Sequence, residues 1–413
     1  MIIRKAYKFK MQPTRDQRVL LAQSAGCVRL VWNKALALEK ESLTEEKKVI
    51  SYNEMAGNLT AWKKQEETDF LKLVHSQPLQ QTLKDLDRAL KDSFKKEKGF
   101  PRFKKKDRHD SFRYPQGFKI QGRQVYLPKI GWVKFRKSQE IDGLIKNVTV
   151  SKYCGEWYVS FQIEKEFEDG FHVGPAIGID VGIAKFAAVS DGEFHDSVNA
   201  YRTYENKLKK EQRKLSRKEK GSNNRKKQNY KVQKIHKKIA DTRRDFLHKI
   251  STWITKNHGV IYIEDLKISN MSKSAKGTVD DPGRNVKAKS GLNKSILDQG
   301  WFEFRRQLTY KSEWLGGQVI AVNPRNTSRT CPECQHVSKD NRKSQAEFKC
   351  VSCGYSENAD YVGSVNIRRS GEIVAACGSN HVSGRKQEPV GKGDRVPILV
   401  TTTRNPLPQS ESH

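Results

Sequence analysis

Apolar and polar residues alternate with a period of two at the start of the chain, where Tyr7, Phe9 and Met11 oppose Lys8 and Lys10. That spacing predicts a half-buried strand over residues 1–12. Thr14 with Gln17 three residues on has the form of a capping box. The helix it opens carries Leu20, Leu21, Val28, Val31, Trp32 and Leu36 to about Lys40. A second helical stretch runs from Met55 to Lys64. A third begins at Ser76-Gln77-Pro78, and its stripe of Leu79, Leu83, Leu86, Leu90 and Phe94 reads as core packing. From Ser111 to Glu164 the period returns to two, through Val125–Leu127, Trp132–Phe135, Ile145–Val150 and the alternating Trp157, Val159, Phe161 and Ile163. With the first strand these make a small barrel or curled sheet, and the helices are an insertion into it.

The second half is organised around Ala176-Ile177-Gly178-Ile179-Asp180-Val181-Gly182, an apolar strand that ends in a carboxylate. Phe186–Ser190 and the turn Asp191-Gly192 add a hairpin. Residues 201–257 follow as a helical hairpin turning at Gly221-Ser222-Asn223-Asn224, with Leu208 and Leu215 on one arm. Val232, Ile235, Ile239, Phe246, Ile250 and Trp253 form the seam of the other. Val260–Ile263 is a strand closed by Glu264, and Asn270 to Leu292 reads as a polar, mobile loop. A helix from Ile296 to Leu315 has Leu297, Trp301, Phe304 and Leu308 as its seam. A strand over Val319–Val322 comes next, and Asp360 opens a last helix. Three carboxylates on separate elements, Asp180, Glu264 and Asp360, are what a two-metal phosphodiester-cleaving site requires, with two Mg²⁺ as the ions. The order of elements is that of an RNase H-like (RuvC) nuclease core.

Charge narrows the partner. The chain has 413 residues and a formal net charge of +32, with 79 Lys and Arg against 47 Asp and Glu, which points to a polyanion. No run has the length of a membrane span, so a membrane partner is not expected. Basic residues concentrate in two places. Residues 95–108 interleave Lys95, Lys96, Arg102, Lys104, Lys105 and Lys106 with Phe100 and Phe103, a pattern suited to tracking phosphates. Residues 201–250 hold 19 Lys and Arg against 5 Asp and Glu, including Arg213, Lys214, Arg217, Lys218, Arg225, Lys226 and Lys227. Pairing one turn apart cannot neutralise such an excess, so a duplex or structured RNA is expected against this hairpin.

Cys331-x2-Cys334-x15-Cys350-x2-Cys353 has the spacing of a four-thiolate zinc site, structural because no ligand position stays open. It lies between the last strand and the Asp360 helix, so zinc is expected to order the segment that delivers the third acid. Cys27, Cys154 and Cys377 carry no partner pattern. The cysteine usage and the absence of a leader at Met1-Ile2-Ile3 point to a reducing cell interior. After Arg369 periodicity ends, and 371–413 reads as a disordered tail.

Gly178-Ile179-Asp180-Val181-Gly182, Ile263-Glu264-Asp265-Leu266, the four-cysteine ribbon and Asn358-Ala359-Asp360 resemble the TnpB family of transposon-encoded proteins. So do Val31-Trp32-Asn33, Gly99-Phe100-Pro101-Arg102-Phe103 and Asp245-Phe246-Leu247-His248-Lys249. The resemblance implies a multidomain α+β protein. Its parts are a wedge-type, β-barrel-like domain (1–13 and 96–172) and a helical recognition lobe (14–95). A RuvC core (173–325 and 356–370) and a zinc ribbon (326–355) complete it. It further implies a DNA endonuclease acting with a guide RNA from the transposon end on double-stranded DNA beside a short transposon-adjacent motif, as a monomer with RNA. Asp180, Glu264 and Asp360 fall on the family's metal-binding acids. Tyr52 and Gln80 stand as candidates for reading the adjacent motif. Two other functions remain open on sequence alone: a transposase that joins strands on the same core, and a nuclease-independent RNA-guided DNA-binding protein.

Overall fold

In a computed structural model, residues 2–45, 48–106, 108, 110–166, 172 and 174–376 are described. They fall into two compact units, 2–166 and 172–376. Residues 377–413 lie outside the description, and with them Cys377 and most of the expected tail.

The first unit begins with strand β1 (Ile2–Gln12), followed by helices α1 (Arg15–Glu45), α2 (Tyr52–Lys64) and α3 (Ser76–Phe94). Strands β2 (Ser111–Tyr114), β3 (Lys119–Gln121), β4 (Gln124–Leu127), β5 (Gly131–Phe135), β6 (Leu144–Tyr153) and β7 (Glu156–Glu166) complete it. The order is β2-β6-β7-β1-β5-β4-β3, antiparallel throughout. β1 pairs with β7 along most of its length and passes to β5 at Met11 and Gln12, which curls the sheet. Among the described residues β2 and β3 do not pair, so the ladder stays open where a barrel would close. The three helices enter between β1 and β2, and Leu21, Val28, Leu83 and Leu86 share one core with Phe9, Val150 and Phe161. Helix α1 runs to Glu45, past the expected end near Lys40.

The second unit opens with β8 (Ala176–Val181), β9 (Lys185–Val189) and β10 (Phe194–Asp196), then α4 (Ala200–Ser216) and α5 (Asn223–Asn257). β11 (Val260–Glu264), α6 (Ile268–Met271), α7 (Val286–Gln299), α8 (Trp301–Trp314) and β12 (Gln318–Val322) follow. The short pair β13 (Glu347–Lys349) and β14 (Ser356–Asn358) leads into α9 (Ala359–Ala376). The sheet runs β10-β9-β8-β11-β12, with β8, β11 and β12 parallel and the hairpin antiparallel. Alternation along β8 sorts its residues between two layers. Ile177 and Ile179 pack on Leu247, Ile254, Phe304 and Leu308 from α5 and α8. Ile367 of α9 packs on Tyr262 and Val322 at the opposite face.

Three expectations change. The polar loop after Glu264 is shorter than its composition indicates, because α7 begins at Val286 and its Lys289 and Asn293 donate to Met271, Ser272 and Lys273 carbonyls. The helix expected over 296–315 is two helices, broken at Gly300, whose φ of +74° lies in the left-handed region. Leu297 consequently stays exposed while Ile296 joins the core. Residues 371–376 are helical as the end of α9, not part of a tail.

Candidate active site

Asp180 ends β8, Glu264 ends the neighbouring parallel β11, and Asp360 lies in the first turn of α9. Parallel pairing brings the first two to the same edge of the sheet. Asn358 caps α9 by accepting from the Asp360 and Tyr361 amides at 2.9 and 3.2 Å. Glycines let α9 lie directly on β8. A methyl group at Gly178 would come within 2.1 Å of the Ser364 carbonyl, and one at Gly363 within 2.6 Å of Asp180 Oδ2. Gly178 and Gly363 permit this contact, whereas Gly182 faces the Lys185 carbonyl.

All three acids are half-buried. Burial pushes the Asp180 carboxyl up to about 7, and the charges of Glu264 and Asp360 push in the same direction, against Arg342. Glu264 is raised by burial, opposed by the Thr327 hydroxyl, which donates to Oε1 at 2.6 Å. Asp360 Oδ1 accepts from the Arg342 guanidinium at 3.3 Å. One guanidinium does not balance three carboxylates, and such a cluster offers the donor chemistry a divalent ion satisfies. Among the described residues only the four cysteines gather all their ligand atoms within 4.8 Å, so the acids do not converge on one point. Two ions about 3.5–4 Å apart do not ask them to.

The cysteines form a second centre. Cys331 and Cys353 sulfurs are 3.6 Å apart and Cys334 and Cys350 sulfurs 3.5 Å. A tetrahedral ion with bonds of about 2.3 Å needs edges of about 3.8 Å, so the four fit one metal. Asn341, fully buried, ties the ribbon together by donating to the Arg329 and His336 carbonyls and accepting from the Val351 amide.

The basic residues divide. Arg213, Lys214 and Arg217 share one face of α4 with Asn206, Lys209 and Lys210, the last two not foreseen. Lys218, Lys226 and Lys227 are exposed, as are Lys95, Lys96, Arg102, Lys105 and Lys106. Arg225 is spent on the hairpin turn, donating to the Leu215 and Lys218 carbonyls at 2.8 and 2.7 Å. Lys104 lies 3.8 Å over the Trp32 ring, and burial draws its ammonium down to about 8. Its backbone pairs with the Asn33 amide in both directions, and Trp32 Nε1 donates to the Arg102 carbonyl. The motifs around Trp32 and Phe100 thus hold each other. Gln80 is exposed on α3 one turn before Lys84, whose ammonium sits 5.3 Å over the Tyr52 ring. The seam of the hairpin also divides: Val232, Ile235 and Ile239 pack on α4, while Phe246 and Ile250 belong to the sheet core. Sequence reasoning missed Arg342, Thr327 and Asp298. The Asp298 carboxylate caps α4 from a distance by accepting from the Tyr201 amide at 2.8 Å.

Comparison with known proteins places these features. The family described as "Probable transposase" matches residues 164–275, "Cas12f1-like, TNB domain" matches 301–367, and "Helix-turn-helix domain" matches 1–48, where the structure has β1 and the single helix α1. A cryo-EM structure of a Cas12f1–sgRNA–target DNA complex aligns with a TM-score of 0.52 at 13% identity, over 89% of this chain and 99% of that one. At that identity the likeness concerns the fold, which is of the compact Cas12f1 class. "Putative RNA-guided DNA endonuclease InsQ" of Escherichia coli (strain K12) is 51% identical over 93% of this chain and 97% of its own length. A "Putative RNA-guided DNA endonuclease" of Streptomyces pristinaespiralis is 33% identical over 94% and 95%. The chain belongs to the TnpB family, as its motifs indicate.

Proposed function

We propose that the protein is an RNA-guided, metal-dependent DNA endonuclease encoded by a transposable element, with Asp180, Glu264 and Asp360 as the metal-holding acids of an RNase H-like (RuvC) core. The observation that carries the reading is the gathering of three half-buried carboxylates, Asp180 and Glu264 on paired strands and Asp360 on the helix against them, where burial first and then the Glu264 and Asp360 charges raise Asp180 to about 7. One Mg²⁺ would be held by Asp180 with Asp360 and a second shared with Glu264; bound there, the ions supply an activated water and charge neutralisation at the leaving oxygen. The acids' part is to hold a fixed negative cluster against a phosphodiester and to set its distance from the sheet edge. Cys331, Cys334, Cys350 and Cys353 would hold zinc, which would keep the ribbon folded, and the ribbon presents Arg342 to Asp360.

The basic face of α4 and the exposed lysines of 95–106 suit a guide RNA and its heteroduplex, whose pairing reads the target sequence. Tyr52, Gln80 and Lys84 would lie near the transposon-adjacent motif. The test is to purify the protein with its native element, sequence the bound RNA, and rewrite that RNA's variable end. Cleavage that follows the rewritten end to a new site supports the reading. Recovery of no defined RNA contradicts it, and joining of a donor end to the target would favour the transposase.

A further inference from the structure

Two buried polar side chains between the acids and the ribbon, Thr327 and Asn366, are joined to each other as well as to the site. Thr327 is 6% exposed and Asn366 3%. Thr327 follows β12 in Asn323-Pro324-Arg325-Asn326-Thr327 and aims its hydroxyl at Glu264 Oε1, at 2.6 Å. That length is in the range of charge-assisted O–H···O bonds, about 2.5–2.7 Å. Asn366 lies on α9, six residues after Asp360, and its amide nitrogen donates to the Thr327 carbonyl at 2.8 Å and the Thr330 carbonyl at 2.7 Å. Three residues further, Arg369 donates to the Pro332 carbonyl, inside the first cysteine knuckle, at 2.6 Å. One helix therefore carries Asp360 at its start and, from its middle, grips the segment that grips Glu264.

We infer that Thr327 is a positioning residue for the Glu264 carboxylate, and that Asn366 fastens Thr327 to the helix bearing Asp360, so that a single strap sets two of the metal-holding acids relative to one another. The inference rests on the proposed reading of the site. A glutamate at a strand end can rotate about its last bonds, and each orientation presents a different oxygen to an ion. The Thr327 hydroxyl selects one. Its own position cannot drift, because the loop that carries it is pinned at two carbonyls by one amide. Partners of this kind orient metal ligands, and their loss costs about 10–100-fold in metal affinity or activity. What the strap requires at this position is a hydroxyl: serine would keep it, whereas valine keeps the shape and removes the proton.

The experiment uses zinc-loaded full-length protein. Mn²⁺ binding is followed by the loss of the free-ion electron paramagnetic resonance signal, and the Asp180→Ala variant serves as the blank. Thr327→Val is expected to weaken Mn²⁺ binding 10–100-fold and to raise by a similar factor the Mg²⁺ needed for half-maximal cleavage by the RNA complex. Its melting temperature and RNA affinity should match the wild type, and Thr327→Ser should restore both metal readouts. Asn366→Leu is expected to shift the same two readouts, and the double variant to be no worse than the more severe single one. Wild-type Mn²⁺ affinity and Mg²⁺ dependence in Thr327→Val would overturn the strap; should that variant not fold, the same result in Asn366→Leu would do so. Wild-type protein that binds Mn²⁺ no better than the Asp180→Ala blank would overturn the metal reading of the acids themselves.

Discussion

His248 sits on α5 above Lys311 of α8, whose ammonium donates to the His248 carbonyl at 3.0 Å and to the Ser251 and Thr252 hydroxyls at 2.7 and 2.8 Å. Burial, then the Lys311 charge, pull the His248 imidazole down to about 4 from 6.5. Between those values the unfolded chain binds a proton that the native protein does not. This contribution to stability is therefore present above pH 6.5 and lost as pH falls toward 4. Melting temperature measured from pH 7.5 to 4.5 should fall less steeply in His248→Gln than in the wild type; identical slopes would contradict this. Residues of this kind mark the limit of reading a chain. His248 was visible as part of a motif, but its neutral state depends on burial by the fold and then on Lys311, 63 residues away. Glu264 and Thr327 are 63 residues apart as well, and Tyr201 and Asp298 are 97. Lys104 and Arg225 looked like phosphate contacts because a run of charge does not show which members bend back onto the fold.

At the scale of elements, hydrophobic period was enough where one face is buried. The alternation of β1 and β7, the stripe of α3 as far as Leu90 and the apolar run before Asp180 correspond to elements that pack as their patterns require, whereas Phe94, expected in the core at the end of that stripe, is exposed in the last turn of its helix. Pattern failed where backbone conformation decides. Gly300 splits one apolar seam into two helices, and Val286 starts a helix inside a polar stretch whose hydrogen bonds are made to a distant loop. The glycines around Asp180 were legible as small residues, but not as the seat of α9. Gly178→Ala tests that role. Its methyl would meet the Ser364 carbonyl and the Arg368 amide, both backbone atoms. Overpacking of this sort costs about 1–3 kcal/mol, so the variant should melt lower and cleave more slowly at equal RNA occupancy. An unchanged melting temperature would show that α9 is free to move off the sheet.

For the molecule as a whole, a net charge of +32 suits it to a polyanion, and the described residues fall into two units. The first is a curled sheet with inserted helices that carries Tyr52, Gln80 and the lysines of 95–106. The second is a mixed sheet that collects three acids, a basic hairpin and a four-cysteine ribbon. Among the described residues no helix is long and apolar enough to cross a membrane. The assignment of RNA-directed DNA cleavage to the acids of the second unit is tested by comparing wild type and Asp180→Ala, each with its bound RNA, on a plasmid that matches the guide, in Mg²⁺ and in chelator. Cleavage at the matched site is expected from the wild type in Mg²⁺ alone. Asp180→Ala should show no cleavage while holding the same RNA with nearly the same affinity. Undiminished cleavage by Asp180→Ala would contradict the assignment.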